Sequence, residues 1–185
     1  MTRTRRALLA TAPALAAGLA LPRPAHAFSG AELTEEGRAS LGYLHELHPY
    51  TRQMGERAAG VLVFPTIVKA GFLIGAQTGN GVMFHRGAER GFYNISAASY
   101  GLQAGIQSFS YALFFMNEHS MRYLDESQGW SVGVGPSVVV ADEGFARSMT
   151  STTLSQDVYA FPYGQSGLMA GAGIEGSKIT RVYPG

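Results

Sequence analysis

His45 and His48 lie three residues apart around Glu46 and Leu47, a spacing that puts two imidazoles on one side of a helix and raises a metal reading. Two histidines alone are an incomplete ligand set, and solvated helix positions are the simpler account. His85 and His119 stand isolated in the chain, as surface or hydrogen-bonded structural residues do. Gly164-Gln165-Ser166-Gly167 misses the G-x-S-x-G frame by one residue, and no histidine follows it to act as base. Gly171-Ala-Gly-Ile-Glu-Gly176-Ser177-Lys178 has the outer glycines of a phosphate loop but continues Ser-Lys in place of Lys-Ser or Lys-Thr. It then runs into Ile-Thr-Arg-Val-Tyr, a strand pattern with no helix N-terminus to hold a phosphate. The acidic pairs Glu35-Glu36, Asp125-Glu126 and Asp142-Glu143 are adjacent in sequence rather than opposed, as at helix ends and loops. No enzyme, cofactor or metal site is expected from these residues.

The elements that must position any site begin with helices. Ser29-Gly30-Ala31-Glu32 has capping-box spacing, and Leu33, Leu41, Leu44 and Leu47 recur on one helical face, which predicts a helix over about 30–47. A second, around Tyr50–Ala59, starts after Pro49 and closes at Gly60. From Val61 the texture turns to short runs of Val, Ile, Phe and Tyr broken by glycine, a strand signature. Strands are predicted at Val61–Phe64, Ala70–Thr78, Val82–Arg86, Phe92–Ile95, Gly101–Gln107, Tyr111–Met116, Trp130–Val140, Val158–Phe161 and Gly167–Arg181, the last broken in two. Gly79-Asn80-Gly81 reads as a hairpin turn. Asn117 caps a short helix reaching about Asp125, and Asp142–Gln156 reads as a long surface loop.

The glycines are spaced evenly in the literal sense. Gly71, Gly75, Gly79 and Gly81, Gly101 and Gly105, Gly129, Gly133 and Gly135, and Gly167, Gly171 and Gly173 are all separated by two or four. In a strand an even interval puts every glycine on one face. The interval of four is also that of packed membrane helices, but Val61–Thr78 carries Pro65, Lys69 and the period-two pattern Phe72, Ile74, Ala76 against glycine. A strongly coiled sheet, or one approached closely by another backbone, is the better reading.

Residues 1–27 have a different character: Arg3, Arg5 and Arg6, an apolar run Ala7–Leu21, and Ala25-His26-Ala27 at a cleavage frame. Thr4-Arg5-Arg6-Ala7-Leu8-Leu9 fits a twin-arginine signal, so residues 1–27 are expected to be a cleaved export signal and 28–185 a single domain, periplasmic or secreted. The chain counts 14 Lys+Arg against 13 Asp+Glu. Loss of Arg3, Arg5, Arg6 and Arg23 leaves ten against thirteen, a formal charge of −3, with Lys69 and Lys178 the only lysines. That balance excludes a nucleic-acid partner. With no cysteine, the mature chain stands on packing alone.

Five separated blocks carry a resemblance. Gly60-Val-Leu-Val-Phe-Pro-Thr-Ile-Val-Lys-Ala-Gly-Phe72, Ser99-Tyr-Gly-Leu-Gln-Ala-Gly-Ile-Gln107, Ala112-Leu-Phe-Phe-Met-Asn117, Gly133-Val-Gly-Pro136 and Gly167-Leu-Met-Ala-Gly-Ala-Gly-Ile-Glu-Gly176 resemble the SYLF-domain family, in its order, over about Leu41 to Ile179. The resemblance implies a lipid-binding module: eukaryotic members bind phosphoinositides, some yeast members bind and bundle actin, and exported bacterial members are labelled lipid-binding. Actin is not a partner for an exported bacterial chain. The N-terminal helix departs from the basic amphipathic anchor of some relatives, with Glu32, Glu35, Glu36 and Glu46 against Arg38.

The expected fold is α+β: a strongly curved, mostly antiparallel β-sheet or barrel-like core with N-terminal helices and one short inserted helix. The expected function is non-catalytic binding of phospholipid or a membrane surface in the bacterial cell envelope, through the curved glycine-rich sheet. A groove on that sheet suits an acyl chain, with cations at its rim for a phosphate. Arg52, Arg57, Lys69, Lys178 and Arg181 are the head-group candidates, and Phe72, Trp130 and Tyr183 the apolar or interfacial ones. Solvated charge and core packing are the alternatives for each. Two rival functions stay open: a small outer-membrane β-barrel, and a structural or partner-binding envelope protein on the same scaffold.

Overall fold

The computed structural model describes residues 28–126, 129–141, 155–167 and 176–184. The segment 1–27 expected to be an export signal, most of the loop after Ala141, and Gly171 and Gly173 lie outside the described residues. Among the described residues three helices, α1 (Gly30–Leu47), α2 (Tyr50–Arg57) and α3 (Glu118–Glu126), accompany six strands. These are β1 (Gly60–His85), β2 (Ala88–Phe115), β3 (Trp130–Ser131), β4 (Val138–Val140), β5 (Val158–Gly167) and β6 (Lys178–Val182). The caps are local and fall where the sequence puts them. The Glu32 amide donates to the Ser29 hydroxyl at 3.4 Å, and the Ser120 amide to Asn117 Oδ1 at 2.8 Å.

Six of the expected strands merge into β1 and β2, which pair antiparallel along their length and turn at Arg86-Gly87. The turn expected at Gly79-Asn80-Gly81 is therefore corrected: these residues lie inside β1, opposite Ile95, Asn94 and Tyr93. Neither glycine has a positive φ, and Asn94 takes up the local polar groups, donating to Gly79 O at 3.1 Å and Asn80 Oδ1 at 3.0 Å. Trp130–Val140 is likewise not one strand. Gly133 and Gly135, at φ +100° and +88°, separate β3 from β4.

The β1–β2 ribbon is bent double. A Cβ on Gly81 would sit 2.5 Å from Phe64 Cδ1 and 2.6 Å from Val63 O, and one on Gly79 would sit 2.5 Å from Thr66 O. Residues 79–84 of β1 thus pass along residues 60–67 of the same strand, and the edge that β1 does not give to β2 closes on itself. Bulges permit the bend. Register shifts fall between Phe64 and Ile67, where Pro65 is tolerated and its carbonyl accepts from Ser110 Oγ at 2.7 Å, and between Gly71 and Leu73.

The other edge of β2 carries β6 beside Phe92–Ser96 and β5 beside Gln107–Phe115; β3 extends β6, and β4 joins β5 in parallel. The result is a mostly antiparallel, strongly curled sheet with two buried faces. Leu62, Phe64, Tyr111, Leu113 and Phe115 fill the concave face with α3 and Trp130, while Val61, Val63, Phe114 and Phe161 pack under Leu33, Leu44 and Met54 of α1 and α2. Double burial explains why β1 and β2 contain unbroken apolar runs such as Val61-Leu-Val-Phe64. Among the described residues no helix is long and apolar enough to cross a membrane.

Candidate functional site

Two places in the described structure bring polar groups together against apolar walls, one on each face of the sheet. The first lies on the concave face where the ribbon bends. Strand alternation puts Lys69, Gly71, Gly75, Gln77 and Gly79 on the side occupied by Ile67 and Phe64, and Gly105 and Gln107 on the side of Phe109 and Tyr111. The even spacing of Gly71, Gly75 and Gly79 thus gives one face, and that face is concave, whereas Gly133 and Gly135 lie in the turn between β3 and β4. Lys69 stands opposite Gln107 in register, with Gly167 of β5 on the other side of Gln107.

Here the hydrophobic core gives way to buried polar groups. Gln77 Nε2 donates to Ser177 Oγ at 3.0 Å, and both residues are buried. Gln107 is 1 % exposed, and neither Oε1 nor Nε2 has a hydrogen-bond partner. An unpartnered buried amide costs about 1–3 kcal/mol per group. The set offers hydrogen-bond donors, acceptors and the cation of Lys69.

The second place is a cleft of about 810 Å³ between α1, α2 and the β1–β2 turn. Arg38 comes from α1, Arg52 from α2 and Arg86 from the turn; Leu41, Val61 and Phe84 supply apolar wall. Arg38 lies over the Phe84 ring, 5.8 Å from its centroid. His45 faces the same space. The Thr51 hydroxyl donates to His48 O at 2.7 Å, so at 2.8 Å it accepts from His45 Nδ1, which fixes the neutral tautomer with Nε2 unprotonated. Burial first, then the Arg52 charge, holds the His45 pKa below its ordinary value.

The residues singled out from sequence are spread over the molecule. Arg52 lines the cleft; Arg57 ends α2 and is exposed, outside the cleft's lining. Lys69 belongs to the concave set. Lys178 is exposed on β6, next to the buried Ser177. The Arg181 guanidinium is held by Asp125 at 3.4 Å beside Arg90, which reaches the same carboxylate at 2.8 Å. The Tyr93 hydroxyl also donates to Asp125, and burial followed by that carboxylate pushes its pKa well above the ordinary tyrosine value. This cluster ties α3 to β2 and β6. Trp130 is core: its ring packs on Phe115 and Nε1 donates to Val134 O at 3.0 Å. Tyr183 is 79 % exposed, with Arg181 over its ring. The Phe72 side chain lies outside the described residues.

Gln77, Gln107, Ser177, Arg38 and Arg86 were not singled out from the sequence. A glutamine two and four residues from Phe109 and Tyr111, at a strand position facing the core, is the signal that could have found Gln107. Nothing in the spacing of the three arginines announces that they converge. Among the described residues, no group of three or more His, Cys, Asp or Glu is placed to hold a metal ion.

A curled, mostly antiparallel sheet under two N-terminal helices, with buried polar groups on its glycine-lined face, defines a binding scaffold. Residues 96–183 match the family described as "Ysc84: Las17-binding protein actin regulator", a match consistent with a SYLF-domain protein. The matched segment holds Gln107, Ser177, Lys178 and Arg181, while all three cleft arginines precede it. No curated protein matches the chain. The match points to a lipid- or actin-related binding role, in a family not known for enzymes.

Proposed function

We propose that this protein binds lipid in the bacterial cell envelope without catalysing a reaction, holding the lipid's polar group at the Lys69, Gln77, Gln107 and Ser177 end of the concave face. One observation carries the reading: Gln107, almost wholly buried, presents both amide atoms without a hydrogen-bond partner on the concave face. A ligand with a hydrogen-bonding head satisfies that amide. Lys69 supplies a cation for a phosphate, and the exposed Arg57, Lys178 and Tyr183 are placed to meet a membrane surface. Export through cleavage after Ala27 brings the protein to its lipid. The outer face, covered by α1 and α2, is unsuited to contact lipid as a membrane barrel does.

Lipid extracted from the purified protein and identified by mass spectrometry tests the reading. A bound lipid lost in Gln107→Leu supports it. Absence of co-purified lipid, together with no co-sedimentation with liposomes of any lipid class, would sink it. Mass determination of the exported protein checks the start at Phe28.

A further inference from the structure

The arginine cleft lies on the face opposite the concave site and is independent of that reading, since Val61 and Phe84 of its wall belong to the core under α1 and α2. Three arginines from three elements line one cleft, with Glu56 the one carboxylate among its lining residues, which leaves two positive charges in excess. Other carboxylates do little to neutralise them. Glu35 reaches Arg38 only at 4.0 Å, with both side chains more than half exposed.

The backbone adds a second, independent sign. Arg86 is the only non-glycine residue with a positive φ among those described, at 52°. With Gly87 at 80° it forms a two-residue hairpin turn in which asparagine or glycine is the favoured first residue. A long β-carbon side chain in the left-handed region is conformationally costly, and such outliers persist where the side chain is used. Here the turn places Arg86 on the cleft shared with Arg38 and Arg52.

We propose that this cleft is a binding site for a dianionic phosphate monoester. A guanidinium fork matches two phosphate oxygens, and forks from separate elements match a tetrahedral group approached from several sides. The excess of two charges fits a monoester at about −1.5 to −2 better than a diester at −1. His45 lines the cleft, and its Nε2 donates to a phosphate oxygen once it takes up a proton, which a bound dianion favours. Leu41, Val61 and Phe84 give the ester's carbon substituent apolar wall to lie on.

The same chemistry reaches the site as a free phosphate compound or as a lipid head group, and the probes separate the two. Isothermal titration of the purified protein with inorganic phosphate, n-hexyl phosphate and dihexyl phosphate is the first measurement. Co-sedimentation with phosphatidylcholine vesicles doped with phosphatidic acid or phosphatidylglycerol is the second. The expected result is saturable binding of the two dianions, inorganic phosphate and n-hexyl phosphate, over the monoanionic diester. That binding weakens about tenfold or more in Arg52→Ala and Arg86→Asn. Both residues are exposed, and Arg86→Asn suits the turn, so folding is retained. Preference for hexyl phosphate and for phosphatidic acid vesicles assigns a lipid head. Equal affinity for the two dianions without vesicle binding assigns a soluble phosphate. No binding, equal binding of the diester, or binding indifferent to both substitutions overturns the site. The concave site is read by the lipid that co-purifies with the protein and its loss in Gln107→Leu, and this cleft by phosphate titration of Arg52→Ala and Arg86→Asn, so the two failures are distinguishable.

Discussion

His85 Nδ1, at the last residue of β1, donates to the carbonyl of Ala59, just before its first, at 2.7 Å. A strand of 26 residues whose ends touch is folded on itself, and that closure depends on Gly79 and Gly81 passing close to residues 63–67. Gly81→Ala forces a Cβ against Val63 O and the Phe64 ring and is expected to destabilise by about 1–3 kcal/mol. Gly42→Ala, on α1 with nothing within 4 Å of the new methyl, is expected to stabilise by about 0.5–1 kcal/mol. Chemical denaturation of the two variants beside the parent checks the contrast; similar effects of the two would contradict the closure.

The concave site predicts opposed effects of one substitution. Gln107→Met removes two unsatisfied buried polar atoms while keeping side-chain length, so the ligand-free protein gains about 1–2 kcal/mol. The same variant loses the stabilisation that bound lipid gives the parent. Thermal melts with and without added lipid read both, and a Gln107→Met protein that is destabilised and still responds to lipid rules the site out.

How far the chain was legible follows from where each decision is taken. Ser29 and Asn117 cap helices through bonds three residues away, and the even glycine spacing reports a shared face because strand alternation is local. Asn80-Gly81 misleads because its fate is set by Asn94 across the ribbon and by Phe64 on the folded-back half. Trp130 could be read as interfacial or core from sequence; only Phe115 and Val134, far or displaced in the chain, decide for core. The cleft was hidden for the same reason, since Arg38, Arg52 and Arg86 share no element and meet only when β1 returns its end to α1 and α2.

Arg86 should trade stability for binding. Asparagine tolerates the left-handed region at the first position of this turn, so Arg86→Asn is expected to gain about 0.5–1 kcal/mol while losing phosphate affinity. Denaturation midpoints paired with phosphate titration test it. A variant both less stable and weaker in binding would mean that the side chain is needed for folding.

Asp157 gives a pH signature at the acid end. It accepts from the Ser137 amide and hydroxyl, each at 2.9 Å, and from Asn117 Nδ2 at 2.8 Å, joining the α3 cap to the segments before β4 and β5. Those bonds, the Ser137 amide foremost, hold its carboxyl below the usual value of 3.8. Their contribution is present above the unfolded value and is lost as pH falls through the lower folded one. Asp157→Asn is expected to cost about 1 kcal/mol at neutral pH and to flatten the acid limb of the stability profile.

His45 acts in a higher window and with the same sign. Its folded pKa lies below 6.5 because burial and Arg52 disfavour the imidazolium, so the unfolded chain binds the proton more readily. Stability therefore falls as pH drops from about 6.5 towards the folded value and levels off beneath it. His45→Gln, which keeps a donor for Thr51, removes this slope. A dianion in the cleft would offset the Arg52 charge and raise the His45 pKa, so by linkage saturating phosphate shifts the imidazole titration upward. Proton NMR of the His45 ring, with and without phosphate, measures the shift directly. A titration midpoint that phosphate leaves unmoved, in a protein that still binds phosphate, would place the anion away from His45 and Arg52.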